Sequence, residues 1–171
     1  MIKYIKGKRT LMFALLATLS VVWMSVIFGF SSSDAEESTE QSNFVTEFLI
    51  KIFEDDYDTL NQNEKQLLIE KYDGVVRKLA HFGIFGVLGV LLYLTAGSLK
   101  WIPDSFAKPS YISLPLSWAF AAADEYHQTF VSGRSGQIKD VLIDSAGALC
   151  GTLFGIMVVV VVKKIKMRYF R

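Results

Sequence analysis

The stretch from Asp124 to Gly151, DEYHQTFVSGRSGQIKDVLIDSAGALCG, sets Asp124, Glu125, His127, Gln128, Arg134, Asp140 and Asp144 between two hydrophobic runs. Residues of these types support three kinds of chemistry. His127 beside Asp124 or Glu125 is a general acid–base pair. Arg134, in a turn permitted by Gly133 and Gly136, is a bidentate donor for phosphate or carboxylate, and the helix that follows directs free backbone amides at the same loop. His81, His127 and one carboxylate are of the types that hold zinc and activate water. The chain's two histidines lie on different segments, however, with no His-x-x-x-His or cysteine cluster, so no metal is assigned. A serine nucleophile from Ser31 to Ser33 is a weaker option.

Spacing sorts these residues onto faces. Arg77 and His81 are four apart and share one helix face with Lys78 beside them; Asp124, His127 and Gln128, at i, i+3 and i+4, share another. Asp140, Asp144, Gly147, Gly151 and Gly155 form a single stripe. Small residues at that spacing let helices approach closely, so the acids on the stripe are expected to point into a bundle. The bland alternative is an ion-pair network, Arg77 or Lys78 with Asp124 or Asp140, that only pins helices together.

The elements that must position these groups are long apolar blocks. Of 171 residues 51% are hydrophobic, concentrated in runs at about 11–30, 79–98, 111–130 and 141–162. Runs of about twenty residues cross a bilayer. The first, after Lys3, Lys6, Lys8 and Arg9, has an apolar core longer than the ~7–15 residues of a signal peptide, and reads as an uncleaved anchor. Cys150 excludes an internal disulfide and reads as a free thiol packed as a small apolar residue.

Charge orients the blocks. Both terminal tails are basic, and the connection after the second block holds Lys100, Lys108 and Asp104, whereas residues 31–76 hold twelve acids against three lysines. That bias puts both termini in the cytoplasm and the acidic segment outside. The predicted fold is an all-α membrane protein, a bundle of four transmembrane helices with an extracytoplasmic amphipathic helical loop between spans one and two. All the conspicuous polar residues then meet at the outer end. A charge at a span's centre costs ~2.5–3.5 kcal/mol on insertion scales and less near the interface, so a paired, partly wet cluster at the end is a functional-site candidate.

Within the acidic segment, SSSDAEESTEQS reads as a polar loop. Phe44, Val45, Phe48, Leu49, Ile52 and Phe53 then recur at helical spacing after a Ser42 N-cap. That helix would lie on the outer membrane surface or close over the polar site as a lid. A second helix is expected to start at Asn61, with Glu64 completing a capping box, and to run into span two.

With FSSS after the first span, RKLAHFGIFGVLG opening the second, and the Asp124–Gly151 stretch, the whole chain, residues 1–171, resembles the VanZ-like family of bacterial membrane proteins as a single membrane domain. Two positions depart from the pattern: Ser132 stands where a proline is usual, and Asp144 where an asparagine is common. The resemblance implies a multi-pass protein of the bacterial cell membrane, linked through the family's name-giving member to reduced susceptibility to the glycopeptide antibiotic teicoplanin. The sequence holds no coenzyme-binding fingerprint, and no cofactor is expected.

Two functions are expected from the residues. In one, an outer site of Arg77, Lys78, His81, Asp124, Glu125, His127, Gln128, Arg134, Asp140 and Asp144 binds an anionic lipid, a teichoic-acid precursor or a lipid-linked wall precursor. In the other, the protein is an intramembrane hydrolase or transferase whose catalytic candidates are His127, Asp124, Glu125 and His81. A transporter would need an oligomer, and no internal repeat is evident. The partners expected are membrane lipids, and nucleic acid is not among them, because the basic tails fit topology and phospholipid attraction.

Overall fold

The structure, a computed structural model, describes residues 2–54, 56–99, 101–102 and 105–169, with side chains from Gly7 onward. Lys100, Asp104 and Arg171, and the side chains of Lys3 and Lys6, lie outside the described residues. The described chain is all-helical: α1 (Ile2–Ser31), α2 (Ala35–Phe53), a 3-10 turn (Tyr57–Thr59), α3 (Gln62–Ser98), α4 (Ser110–Gln128) and α5 (Ile138–Tyr169).

Among the described residues three segments are long and apolar enough to cross a membrane, Gly7–Ser31, Gln62–Ser98 and Ile138–Tyr169. The expected third span, α4, is not among them. It is 19 residues long and carries Asp124, Glu125, His127 and Gln128 in its last turns, which dilute its apolar character. The 37 residues of α3 reach about 55 Å at ~1.5 Å per residue, well beyond a hydrocarbon core of ~30 Å, so the helix carries an extension as well as a span. Its start is the expected capping box: the Asn61 side chain accepts from the Glu64 amide, and the Glu64 side chain accepts from the Asn61 amide.

The segment expected to be a polar loop is instead the first half of α2. Its cap is Asp34, whose side chain accepts from the Glu37 amide, and Glu36 and Glu37 in the first turn complement the helix dipole. Ser42, expected as the N-cap, lies mid-helix, its hydroxyl turned back onto the Thr39 carbonyl. Asp34→Ala is expected to cost about 1 kcal/mol of local stability. Faster amide exchange confined to the first turns of α2 would register it.

Contacts fix the helix directions. The Ser20 hydroxyl lies 3.1 Å from that of Thr95, and Trp23 Nε1 donates to the Ile84 carbonyl at 2.8 Å, so α1 and α3 are antiparallel. Along α3 and α5, His81 faces Asp144, Phe82 faces Gly147, Gly86 faces Gly151 and Tyr93 faces Gly155, a parallel pairing with the most extensive interface in the fold. Gly97 meets Pro109 at the start of α4, while Ser31 of α1 meets Asp124 near its end, so α4 runs with α1. The four long helices therefore alternate in direction, and Ser31, Arg77, Asp124 and Asp140 share one end.

Ile27, Phe85, Leu88, Leu92 and Ala121 form the main core. Among apolar surroundings no hydrophobic effect drives helices together, and close small-residue contact substitutes for it. Gly147 and Gly151 supply that contact, since a Cβ on either would overlap the carbonyl of Phe82 or Gly86. A satellite cluster of Ile50, Tyr57 and Ile69 holds α2 against the extension of α3, with the Glu47–Lys51 ion pair (2.9 Å) alongside. Hydrogen bonding and the Lys51 charge hold the Glu47 carboxyl below its usual range, while burial pushes the Tyr57 phenol up. Phe44, Phe48 and Phe53 face outward, 75%, 58% and 79% exposed. Docked in this way, α2 contributes Ala35 alone to the cavity described below, so it does not lie across it as a lid.

Candidate functional site

The stripes legible in sequence meet at the shared end. The Ser31 hydroxyl donates to Asp124 Oδ2 at 2.6 Å, and the Gln128 amide reaches both (3.4 and 3.5 Å), tying α4 to α1. Glu125, one residue on, points the other way and accepts from the Gln137 amide at 2.7 Å. It thereby caps the N-terminus of α5 from another helix, and that amide is taken by an internal carboxylate, not left for an external anion.

Between α3, the end of α4 and the start of α5 lies a cavity of about 310 Å³. Arg77, Lys78 and His81 line it from α3, and Asp140 and Asp144 from α5. Glu125, Gln128 and Arg134 complete the polar wall. His81 Nδ1 stands 3.5 Å from Asp144 Oδ1, an ion-pair distance without a hydrogen bond. Asp144 has no exposed surface and neither of its oxygens is hydrogen-bonded; Glu125 Oε2 and Arg77 Nε are likewise buried without partners. Native proteins leave few such groups, and each calls for an explanation.

Eight of the ten residues expected at the site thus share one cavity. Asp124 sits behind the wall, 1% exposed, with Oδ2 engaged by Ser31 and Gln128. His127 turns away: its ring stacks on Phe28 of α1 at 4.3 Å, and Nε2 lies 3.3 Å from the Ser32 hydroxyl. The expected pairing of His127 with Asp124 or Glu125 is not formed, because α1 packs against that side of α4. His81 and His127 are engaged on opposite sides of α4, so the zinc arrangement needing both is not assembled. Among the described residues no three His, Cys, Asp or Glu side chains come together as a metal-holding group.

Ion pairing also differs from expectation. Arg77 pairs with Asp73, one turn back on its own helix, at 2.6 Å, rather than with Asp124 or Asp140. The Asp73-x-x-x-Arg77 spacing was the available signal. Arg134 donates to the carbonyls of Ser31 (3.2 Å) and Ser33 (3.5 Å) and to the Ser38 hydroxyl (3.3 Å). It closes the C-terminus of α1, and burial, with Arg77 nearby, pulls its guanidinium below the usual value. Gly133, at φ +72°, makes the turn that presents it, and the Ser132 carbonyl accepts from the Ala35 amide. Arg134→Ala is expected to cost roughly 1.5–3 kcal/mol. Thermal unfolding in detergent measures that loss, and a double-mutant cycle with Ser38→Ala isolates the share carried across the loop. Cys150, expected to be packed, is exposed.

The cavity is therefore a polar chamber with Lys78 exposed at its entrance, Arg77 and Asp140 half-buried, and Glu125 and Asp144 buried at its base, able to hold a charged group or to move a proton between His81 and a ligand. A family model described as VanZ/LLP1 matches residues 16–161, a range that holds every cavity residue. No curated protein and no solved structure matches the chain. On that match, and with the matched motifs folded around one cavity, the chain belongs to the VanZ/LLP1 family.

Proposed function

We propose that the protein is a multi-pass component of the bacterial cell membrane, both termini cytoplasmic, whose polar cavity binds the phosphate-bearing headgroup of a lipid or lipid-linked wall precursor at the outer leaflet. Through that binding it lowers susceptibility to teicoplanin-type glycopeptides. On this reading α4 also crosses, as the third of four spans. Its length is sufficient for a polar-ended crossing, and its direction supports it. The basic tails favour the cytoplasmic side for the opposite end. The observation that carries the proposal is the cavity itself, with Arg77, Lys78 and Arg134 in its wall at one end of a bundle of long apolar helices.

The test is teicoplanin susceptibility in a strain lacking the gene, complemented at matched expression. The paired variant Arg77→Gln with Lys78→Gln is expected to raise susceptibility toward that of the uncomplemented strain. His127→Gln, outside the cavity, is expected to complement. Full complementation by the paired variant would exclude the cavity as the seat of the effect.

The His81–Asp144 pair favours a second reading, an intramembrane hydrolase or transferase on a lipid-linked substrate. His81 would take the proton of the attacking water or hydroxyl, and Asp144 would stabilise the imidazolium. His81→Gln separates the readings: an enzyme keeps its ligand and loses turnover, whereas a binding protein loses only part of its affinity.

A further inference from the structure

We propose that the ligand of the cavity carries a primary ammonium as well as a phosphate, as a phosphoethanolamine headgroup does; this deepens the headgroup reading and rests on it. The inference comes from which polar atoms remain unused. At the entrance, Lys78 is exposed, and Arg77 keeps a buried Nε without an acceptor after committing its terminal nitrogen to Asp73. Arg134 is already occupied by two carbonyls and a hydroxyl. Deeper in, apart from His81 Nδ1 beside Asp144, the unused atoms are acceptors. Glu125 spends Oε1 on the Gln137 amide and leaves Oε2 buried and unpartnered at 4% exposure. Asp144, fully buried, leaves both oxygens without a hydrogen bond.

A purely anionic headgroup would meet the entrance and leave Glu125 Oε2 facing nothing and Asp144 facing His81 alone, without a hydrogen bond, at the cost that buried, poorly paired charge carries. A primary ammonium brings three N–H donors and a positive charge, which match Glu125 Oε2 and Asp144 in number and sign. A quaternary ammonium brings the charge without the donors. The ligand therefore enters ammonium first, with its phosphate left at Arg77 and Lys78. A cavity of about 310 Å³ is at the small end of ligand sites, a size for a headgroup.

The experiment measures binding to the full-length protein in detergent of dihexanoyl phosphatidylethanolamine, phosphatidylcholine and phosphatidylglycerol, and of free phosphoethanolamine. The ethanolamine lipid is expected to bind about tenfold or more tighter than the other two lipids. Glu125→Gln and Asp144→Asn, each checked for a melting temperature no lower than wild type, are expected to reduce that preference to about twofold through weaker binding of the ethanolamine lipid. If free phosphoethanolamine binds as tightly as its lipid, the chemistry is upheld and the source is soluble. If only the lipid binds, the source is the bilayer. Equal or tighter binding of phosphatidylglycerol, or a preference that survives both variants, overturns the ammonium and leaves the headgroup reading standing. No binding by any of the four overturns the ammonium and the phospholipid form of the headgroup reading together.

Discussion

Asp144→Ala, present in the membrane at wild-type abundance, is expected to leave a strain lacking the gene as susceptible to teicoplanin as the strain with no protein, while the variant's melting temperature stays level or rises. The two halves of that result have one cause. Asp144 is fully buried, 3.5 Å from His81 and without a hydrogen bond. A buried carboxylate in that condition opposes folding, and replacing it with a small apolar side chain relieves part of the penalty. The same replacement removes the deepest acceptor of the cavity and the partner that orients His81. Loss of function with retained or improved stability is the mark of a residue kept for its chemistry. Loss of both would place Asp144 among the packing residues. Full complementation would exclude it from the site.

Which features were legible in sequence follows from how far apart their determinants lie. The stripe Asp140, Asp144, Gly147, Gly151 was readable because one helix's period fixes it, and the structure turns it onto α3. The Asn61–Glu64 box was readable for the same local reason. The start of α2 was missed because residues 35–43 have no apolar period. Their helicity comes from the Asp34 cap and glutamate-rich composition, which a search for hydrophobic spacing passes over.

The remaining differences are tertiary. His127 lies three residues from Asp124, at the edge of the shared face, so the neighbour decides its orientation, and Phe28 of α1 claims the ring. Arg134 has the type and loop of an anion binder, yet its acceptors lie about a hundred positions earlier in the chain, at Ser31, Ser33 and Ser38. No local pattern announces such partners. The unused atoms of Glu125, Asp144 and Arg77, which now define the cavity, are a residue of that allocation: they are the polar groups left after the fold has taken what it needs.

One substitution made at two glycines should change stability in opposite directions. Gly83 of α3 has open space where a Cβ would stand, whereas at Gly151 of α5 a Cβ would overlap the Gly86 backbone. Gly83→Ala therefore gains helix propensity and restricts the unfolded chain, a stabilisation of about 0.5–1 kcal/mol. Gly151→Ala gains the same propensity but must push α5 away from α3 along their longest interface, where the obstacle is a backbone carbonyl that no rotamer change can move. Separation there also opens the contacts at Phe82–Gly147 and at Thr152, whose hydroxyl donates to the Gly89 carbonyl at 3.4 Å. The expected net loss is about 3 kcal/mol, near the upper range for overpacking. Because His81 and Asp144 lie at the top of the same seam, the shift also widens their 3.5 Å separation. Gly151→Ala should therefore lower the melting temperature and, at temperatures where the protein remains folded, still weaken ligand binding at the cavity. If Gly151→Ala melts like wild type, the close α3–α5 approach does not hold the bundle together, and the geometry assigned to the cavity wall falls with it.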